Sequence, residues 1–281
     1  MTRTPSPVGR VAVIGDVGGH IEELRAELFR LGCDPDALEM PSDLQVIQVG
    51  DLIHRGSHSE AVVELVDKFL RKYPHNWVQL LGNHEAQYVS DPVFTWHQTI
   101  SGAAAELVRS WWTFGLMRAA ASIRTGDEEF VVTHAGITEG FWRRILHSPR
   151  SAELAGVRLN ELIGTGDGSL FRTGHMLGVG KVSLRAGPLW ASAAFELIPS
   201  WANAGAKMPF SQIHGHSSVI DWSTRQLADG FMYSSAMSFD FSAAHETARI
   251  GATRLIGIDP GHDTVPHVPW RALVLEGAQV I

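Results

Sequence analysis

The 281-residue chain has a single cysteine, Cys33, and no excess of basic charge. One cysteine excludes an internal disulfide and points to a reducing compartment. Cys33 closes an amphipathic stretch, Ile21 to Leu31, and reads as a small core residue in preference to a nucleophile. The opening MTRTPSPVGR leads into a short apolar run. That is neither the pattern of a secretory leader nor the ~20 apolar residues needed to cross a bilayer, so a cytoplasmic protein is expected. Lysine and arginine number 23 against 30 aspartate and glutamate, a formal charge of −7. That balance argues against nucleic acid or an anionic membrane as the main partner, since both require a basic face. No internal repeat, low-complexity tract or Pro-, Gly- or Ser-rich linker divides the chain, so one domain over residues 1–281 is expected.

What the chain does have is material for a core, at 44% hydrophobic and 19% charged residues, and 14 histidines. Several of these lie beside Gly, Asp or Asn and not on apolar faces. Five apolar runs, Val11–Ile14, Leu44–Val49, Trp77–Leu81, Phe130–Thr133 and Phe210–Ile213, read as strands. Between them Ile21–Leu31, Ser59–Lys72 and Ala103–Ala121 carry apolar residues at helical spacing. Residues from Ser218 onward read as antiparallel strands and turns, ending in Ala272–Leu275. The alternation predicts an α/β sheet core with helices outside it. Each of the five strands breaks into a polar cluster at its carboxyl end: Gly15-Asp16, Gly50-Asp51, Gly82-Asn83-His84-Glu85, His134-Ala135-Gly136 and His214-Gly215-His216. Open α/β sheets bind ligands outside those ends, so the clusters should meet in one crevice.

An aspartate after a strand is most often a turn residue that caps the next helix. Asp16 and Asp51 taken alone fit that reading. Taken with Asn83, His134 and His216 they form a mixed hard and borderline ligand set, suited to two ions of Mn, Fe, Zn or Co and poorly to Ca. A carboxylate can bridge two such ions ~3.5–4 Å apart. The aromatic pair Trp111-Trp112 reads as core or rim. Gly180-Lys181 lacks the spacing of a phosphate loop and reads as an ordinary loop.

These clusters, with Gly50-Asp51-Leu52-Ile53-His54-Arg55-Gly56 in full, resemble the ordered motifs of the calcineurin-like metallophosphoesterases. The branch resembled is that of bacterial proteins related to the PPP serine/threonine phosphatases and the diadenosine tetraphosphatases. Gly187-Pro188-Leu189-Trp190 and Ile258-Asp259-Pro260-Gly261 are similar to further segments of that branch. The resemblance implies a four-layer α/β/β/α sandwich and in-line attack on phosphorus by a metal-bound hydroxide. It implies that Asp51 bridges two divalent or trivalent transition metal ions, that Asn83, His134 and His216 complete the second site, and that Asp16 belongs to the first. His84 would be general acid at the leaving oxygen, and Arg55 would hold the phosphoryl oxygens, which suits its planar fork.

The chain departs from the pattern at two places. The usual first motif carries a metal-binding histidine where Gly18 stands, and the usual aspartate three residues after Asp51 is His54. The related purple acid phosphatases also have glycine at the first place and a tyrosine ligand at the second, so His54 is expected as a first-metal ligand. The alternative makes it a partner of His84 in place of that aspartate. His20 reads as a capping or substrate-side residue, and His214 as a lesser candidate ligand. The expected partner is a phosphorylated substrate, either phosphoprotein or small metabolite. A dinucleoside polyphosphate hydrolase and a binding module that has lost catalysis are the alternatives.

Overall fold

The computed structural model describes residues 9–166, 168–177, 181–263 and 268–281. In chain order its elements are β1 (Gly9–Ile14), α1 (Ile21–Arg30), β2 (Leu44–Gln48), α2 (Ser59–Lys72), β3 (Trp77–Leu80), α3 (Asn83–Val89), α4 (Gly102–Thr113), β4 (Met117–Arg118), β5 (Ala121–Arg124) and β6 (Glu129–Val132). There follow α5 (Glu139–Arg144), α6 (Ala152–Glu161), α7 (Ile198–Ala202), β7 (Ser211–His214), β8 (Ile220–Asp221), β9 (Gln226–Leu227), β10 (Met237–Asp240), β11 (His245–Ile250), β12 (Thr253–Gly257) and β13 (Leu273–Val280).

Eleven strands are joined in the order β10-β11-β12-β7-β6-β5-β13-β1-β2-β3-β4. The ladder has two halves, β1 to β4 parallel on one side and β6, β7 and β12 parallel on the other. β13 joins them, pairing antiparallel with β1 along most of its length and with β5 through Gln279 and Val280. Because successive strand residues point to opposite faces, Val11 and Val13 face one way while Ala12 and Ile14 face the other. The first set meets Phe130, Val132, Ile213 and Ile256 from the other half, a dry core between two sheet faces. The second set packs under Leu24 and Leu28 of α1 and Val62, Val66 and Phe69 of α2. On the far side Val131 and Leu255 lie under Phe141, Leu159 and Trp201 from α5, α6 and α7. Helices, sheet, sheet and helices thus make the four layers expected.

Local sequence explains most boundaries. α2 carries Glu60 in its first turn and Arg71 and Lys72 in its last, matching the helix dipole, and buries one apolar face. The helical pattern expected over Ala103–Ala121 stops sooner. α4 ends at Thr113, Gly115 turns the backbone left-handed (φ 69°), and the next residues enter β4 and β5. Trp111 is fully buried in the core, its Nε1–H donating to Asp67 at 2.9 Å. Cys33 is buried in the helix-to-sheet core, and burial pushes its thiol up to about 11, as a packing residue requires. Lys181 lies on the surface, whereas Gly180 is outside the described residues. Among the described residues no helix is long and apolar enough to cross a membrane.

One buried acid in β11 gives the fold a pH dependence. Glu246 accepts from the Val219 backbone N–H at 2.9 Å, and burial pushes its carboxyl up to about 8 from 4.5. A carboxyl raised on folding contributes stability that is complete below the unfolded value and is lost as pH rises through the folded one. Glu246→Gln keeps an acceptor and removes that titration. Its melting temperature should therefore fall less than the parent's between about pH 6 and about pH 9, by about 2–4 °C for each kcal/mol recovered. Parallel melting profiles for the two proteins would contradict this assignment.

Candidate metal centre

The strand ends are brought together by very close backbone approaches. A side chain at Gly82 would run into Asp51, and one at Gly215 would run into the Asp16 carboxylate, so only glycine fits before each cluster. Glu85, fully buried in the first turn of α3, accepts from the backbone N–H groups of Asp51 (2.8 Å), Leu52 (2.8 Å) and Gly82 (3.1 Å). In return Asp51 Oδ1 accepts from the His84 backbone N–H at 2.9 Å. These bonds clamp the end of β2 to the end of β3. Across the cleft, the Asp16 carboxylate accepts from the His216 backbone N–H, at 3.1 Å to each oxygen. Asp51, His54, Arg55 and His216 all have left-handed backbones, with φ from 54° to 69°. Strain of this kind persists where the surroundings over-determine it, and it concentrates at functional sites.

The result is a cleft of about 540 Å³, lined by Asp16, Asp51, Arg55, Asn83, His84 and His216 of the expected set. Asp51, His134 and His216 can place ligand atoms within 4.8 Å of one another. His134 Nδ1 lies 3.1 Å from the Val49 carbonyl, which only accepts, so that nitrogen carries the proton and Nε2 presents a lone pair. Burial lowers this imidazole to about 3, keeping it neutral. Its Nε2 lone pair nevertheless faces Asn83 Oδ1 at 2.8 Å and Asp51 Oδ1 at 3.5 Å. Asn83 Oδ1 also lies 2.9 Å from His216 Nδ1. Lone pairs aimed at one another repel unless a cation lies between them. Atoms sharing an ion at ~2.1 Å bond lengths sit about 3 Å apart, which these separations match. The donor set therefore fits a transition metal ion.

The carboxylates carry the same message. Burial first, then the neighbouring Asp259 and Asp51, hold the Asp16 carboxyl well above the usual carboxylate range. Burial and the Glu85 carboxylate do the same to Asp51. Asp259 is raised by burial and eased by Arg55.

His84 is held by its Nδ1–H donating to the Ile53 carbonyl at 3.0 Å, which leaves Nε2 3.6 Å from Asp51 Oδ2. Burial and then His54 depress its pKa. Arg55 is exposed, its guanidinium 5.0 Å from the Trp96 ring centre at the cleft wall. His54, expected among the metal ligands, is placed elsewhere. It lies behind His84 and does not line the cleft, with Nδ1 3.2 Å from His84 Nδ1 and Nε2 3.2 Å from the Tyr88 hydroxyl. A glycine-flanked turn sends its side chain under α3, where aromatic neighbours hold the ring. His214 is also buried away from the cleft, its Nδ1 3.0 Å from the Gly215 carbonyl. His20 stands at the start of α1 without capping it; its Nε2–H donates to the Asp263 carbonyl at 2.9 Å. Sequence reading gave no role to Glu85, Asp259, His262 or Trp96. Glu85 and Asp259 stand inside motifs already quoted for their neighbours, whereas Trp96 and His262 carry no local signal.

Two sheet halves with Asp, Asn and His clustered at their strand ends form the scaffold of a metallohydrolase. The chain belongs to the calcineurin-like phosphoesterase family, whose model matches residues 9–176. Over 130 residues, 46% of the chain, it is 27% identical to a protein phosphatase 2A catalytic subunit of Dictyostelium discoideum. Over an equal stretch it is 28% identical to the serine/threonine-protein phosphatase 6 catalytic subunit of Caenorhabditis elegans. These matches span only 38% and 36% of those proteins. The fold is similar to a cold-active protein-tyrosine phosphatase of a psychrophilic Shewanella species, with a TM-score of 0.53 and 15% identity over 98% of this chain and 78% of that one.

The cluster predicts metal binding that depends on His134. His134→Ala should weaken retention of Mn²⁺ by more than the ~10–100-fold typical of residues that merely support a ligand. Equilibrium dialysis reads this directly, and parent-like retention would contradict the geometry.

Proposed function

We propose that the chain is a cytoplasmic phosphomonoesterase with a dinuclear metal site, acting on a phosphoprotein or a small phosphorylated metabolite. The observation that carries this reading is the convergence of the Asp51, Asn83 and His134 lone pairs, with His216 Nδ1 2.9 Å from Asn83 Oδ1 beside them. Asp51, Asn83, His134 and His216 would hold one ion and Asp16 and Asp51 the other, with manganese, iron or zinc as the candidates. When bound, such ions neutralise the phosphoryl oxygens and acidify the attacking water.

The protein's own groups have separable tasks. Arg55, a cation on the cleft wall, pairs its planar guanidinium with phosphoryl oxygens, and Trp96 restricts where it can swing. His84, with Nδ1–H tied to the Ile53 carbonyl, aims Nε2 at the leaving oxygen, and it would hand over a proton there once Nε2 has taken one up from water beside the Asp51 carboxylate. His54 supports it from behind, in turn bound to Tyr88 and 3.3 Å from the Gln87 amide nitrogen. Phe94, Trp96, Met176, Leu177 and Trp190 give the cleft apolar walls above its charged floor, which suits an ester with an apolar or aromatic group next to the phosphate.

Three measurements test the reading. Metal-loaded protein should hydrolyse p-nitrophenyl phosphate and phosphopeptide faster than diadenosine tetraphosphate, and EDTA should abolish the activity. Faster cleavage of the dinucleotide would transfer the assignment to a dinucleoside polyphosphate hydrolase, and no turnover of any phosphoester would leave a binding module. Arg55→Ala should lower kcat/KM by about 10²–10³-fold, the loss of one charged contact to the transition state. His54→Ala should lower kcat with metal content unchanged; loss of one ion in that variant would instead make His54 a ligand.

A further inference from the structure

We propose that Asp259 and His262, on the loop after β12, supply the first metal position with the ligands that Gly18 cannot provide. The inference deepens the dinuclear reading and rests on it. With glycine at position 18, Asp16 and Asp51 are the carboxylates left for that ion, and the remaining imidazole of the β1 loop, His20, is held by the Asp263 carbonyl. His54 and His214 do not replace it: His54 is engaged with His84 and Tyr88, and His214 Nδ1 faces the Gly215 carbonyl.

The direction a side chain would take from Gly18 identifies the replacement. A Cβ built there lies 3.5 Å from the Cβ of His262 and 3.5 Å from the Cβ of Arg55. A histidine at position 18 would grow into the space beside His262. The missing imidazole and the one present therefore start from neighbouring points of the cleft wall. His262 is 9% exposed and lines the cleft together with Asp16, Asp51 and Asp259. Its ring is flanked by the rings of His20, at 4.9 Å, and Trp270, at 5.8 Å, which limit its rotation. The loop itself is anchored. The Asp259 carbonyl accepts from Trp222 Nε1–H at 2.9 Å and from the Ser218 hydroxyl at 3.2 Å, and its carboxylate accepts from the Gly261 backbone N–H at 2.7 Å.

Charge points the same way. Asp259 and Asp51 line the same cleft as Asp16, and after burial each adds to the rise of its carboxyl. Asp16, Asp51, Asp259 and His262 line the cleft together, three carboxylates and one imidazole that would close on an ion. Such a set suits Mn or Fe better than a soft ion.

Metal counting on the full chain tests the proposal. Protein loaded with Mn²⁺ and freed of excess metal should hold two ions per chain, with the exchange-coupled electron paramagnetic resonance signal of a pair. His262→Gln and Asp259→Asn should each hold one ion, show an uncoupled six-line signal, and bind the second at least about 100-fold more weakly. Glutamine is close in size to histidine, so circular dichroism and melting temperature should match the parent. Gly18→His added to His262→Ala should restore the second ion and the coupled signal. Two ions retained by His262→Gln at parental affinity would overturn the proposal while leaving the dinuclear reading intact. Fewer than two ions in the parent would overturn the dinuclear reading itself.

Discussion

Asp16, Asp51, Asp259 and Glu85 are four carboxylates buried at the ends of the same few strands, and Arg55 is the cation that acts on two of them. Like charges withdrawn from water raise one another's pKa, and such a group stays ionised only where donors or cations compensate it. Glu85 meets the condition internally, through three backbone N–H groups. Among the described residues the other three each accept from a single backbone N–H, of His216, His84 and Gly261 in turn. A pair of divalent ions would provide the compensating charge and would leave the floor of the cleft ready for a phosphate.

The rest of the scaffold serves to hold these charges against their repulsion. The sheet halves deliver the strand ends, the dry layer between them resists shear, and β13 ties one half to the other. Glycine at 82 and 215 lets backbone and carboxylate approach more closely than any side chain would permit. A second buried acid repeats the Glu85 device on the opposite wall. Glu196 accepts from the backbone N–H groups of His175 (2.9 Å), Ser183 (2.5 Å) and Ser192 (3.0 Å), fixing the segment that carries Met176 and Leu177 over the cleft. Both acids sit where loops converge, and each turns several orphan N–H groups into one rigid joint.

Much of this was legible in the sequence because strand-end motifs obey local rules. Short apolar runs stopped by Gly-Asp or Gly-Asn-His mark both a strand and its functional end, so Asp16, Asp51, Asn83, His84, Arg55 and His216 could be assigned to one cleft before any coordinates. The end of α4 was not legible, because alanine and aromatic residues continue the helical pattern past the turn at Gly115. The direction of the His54 side chain was not legible for a different reason. Spacing from Asp51 fixes its position along the chain, but the left-handed turn through His54 and Arg55 decides which way each side chain leaves it. Asp259 and His262 were invisible as partners of Asp16 and Gly18, since only the parallel pairing of β12 beside β7 brings residues over 240 positions apart into one space.

The central claim is that the buried carboxylates of this cleft are reconciled by a pair of metal ions about Asp51. A crystal of Mn-loaded protein, with anomalous difference maps recorded at the manganese edge, tests it most directly. The account predicts two peaks in the cleft ~3.5–4 Å apart, one on either side of the Asp51 carboxylate. A lone peak, or metal bound away from Asp51, would contradict it.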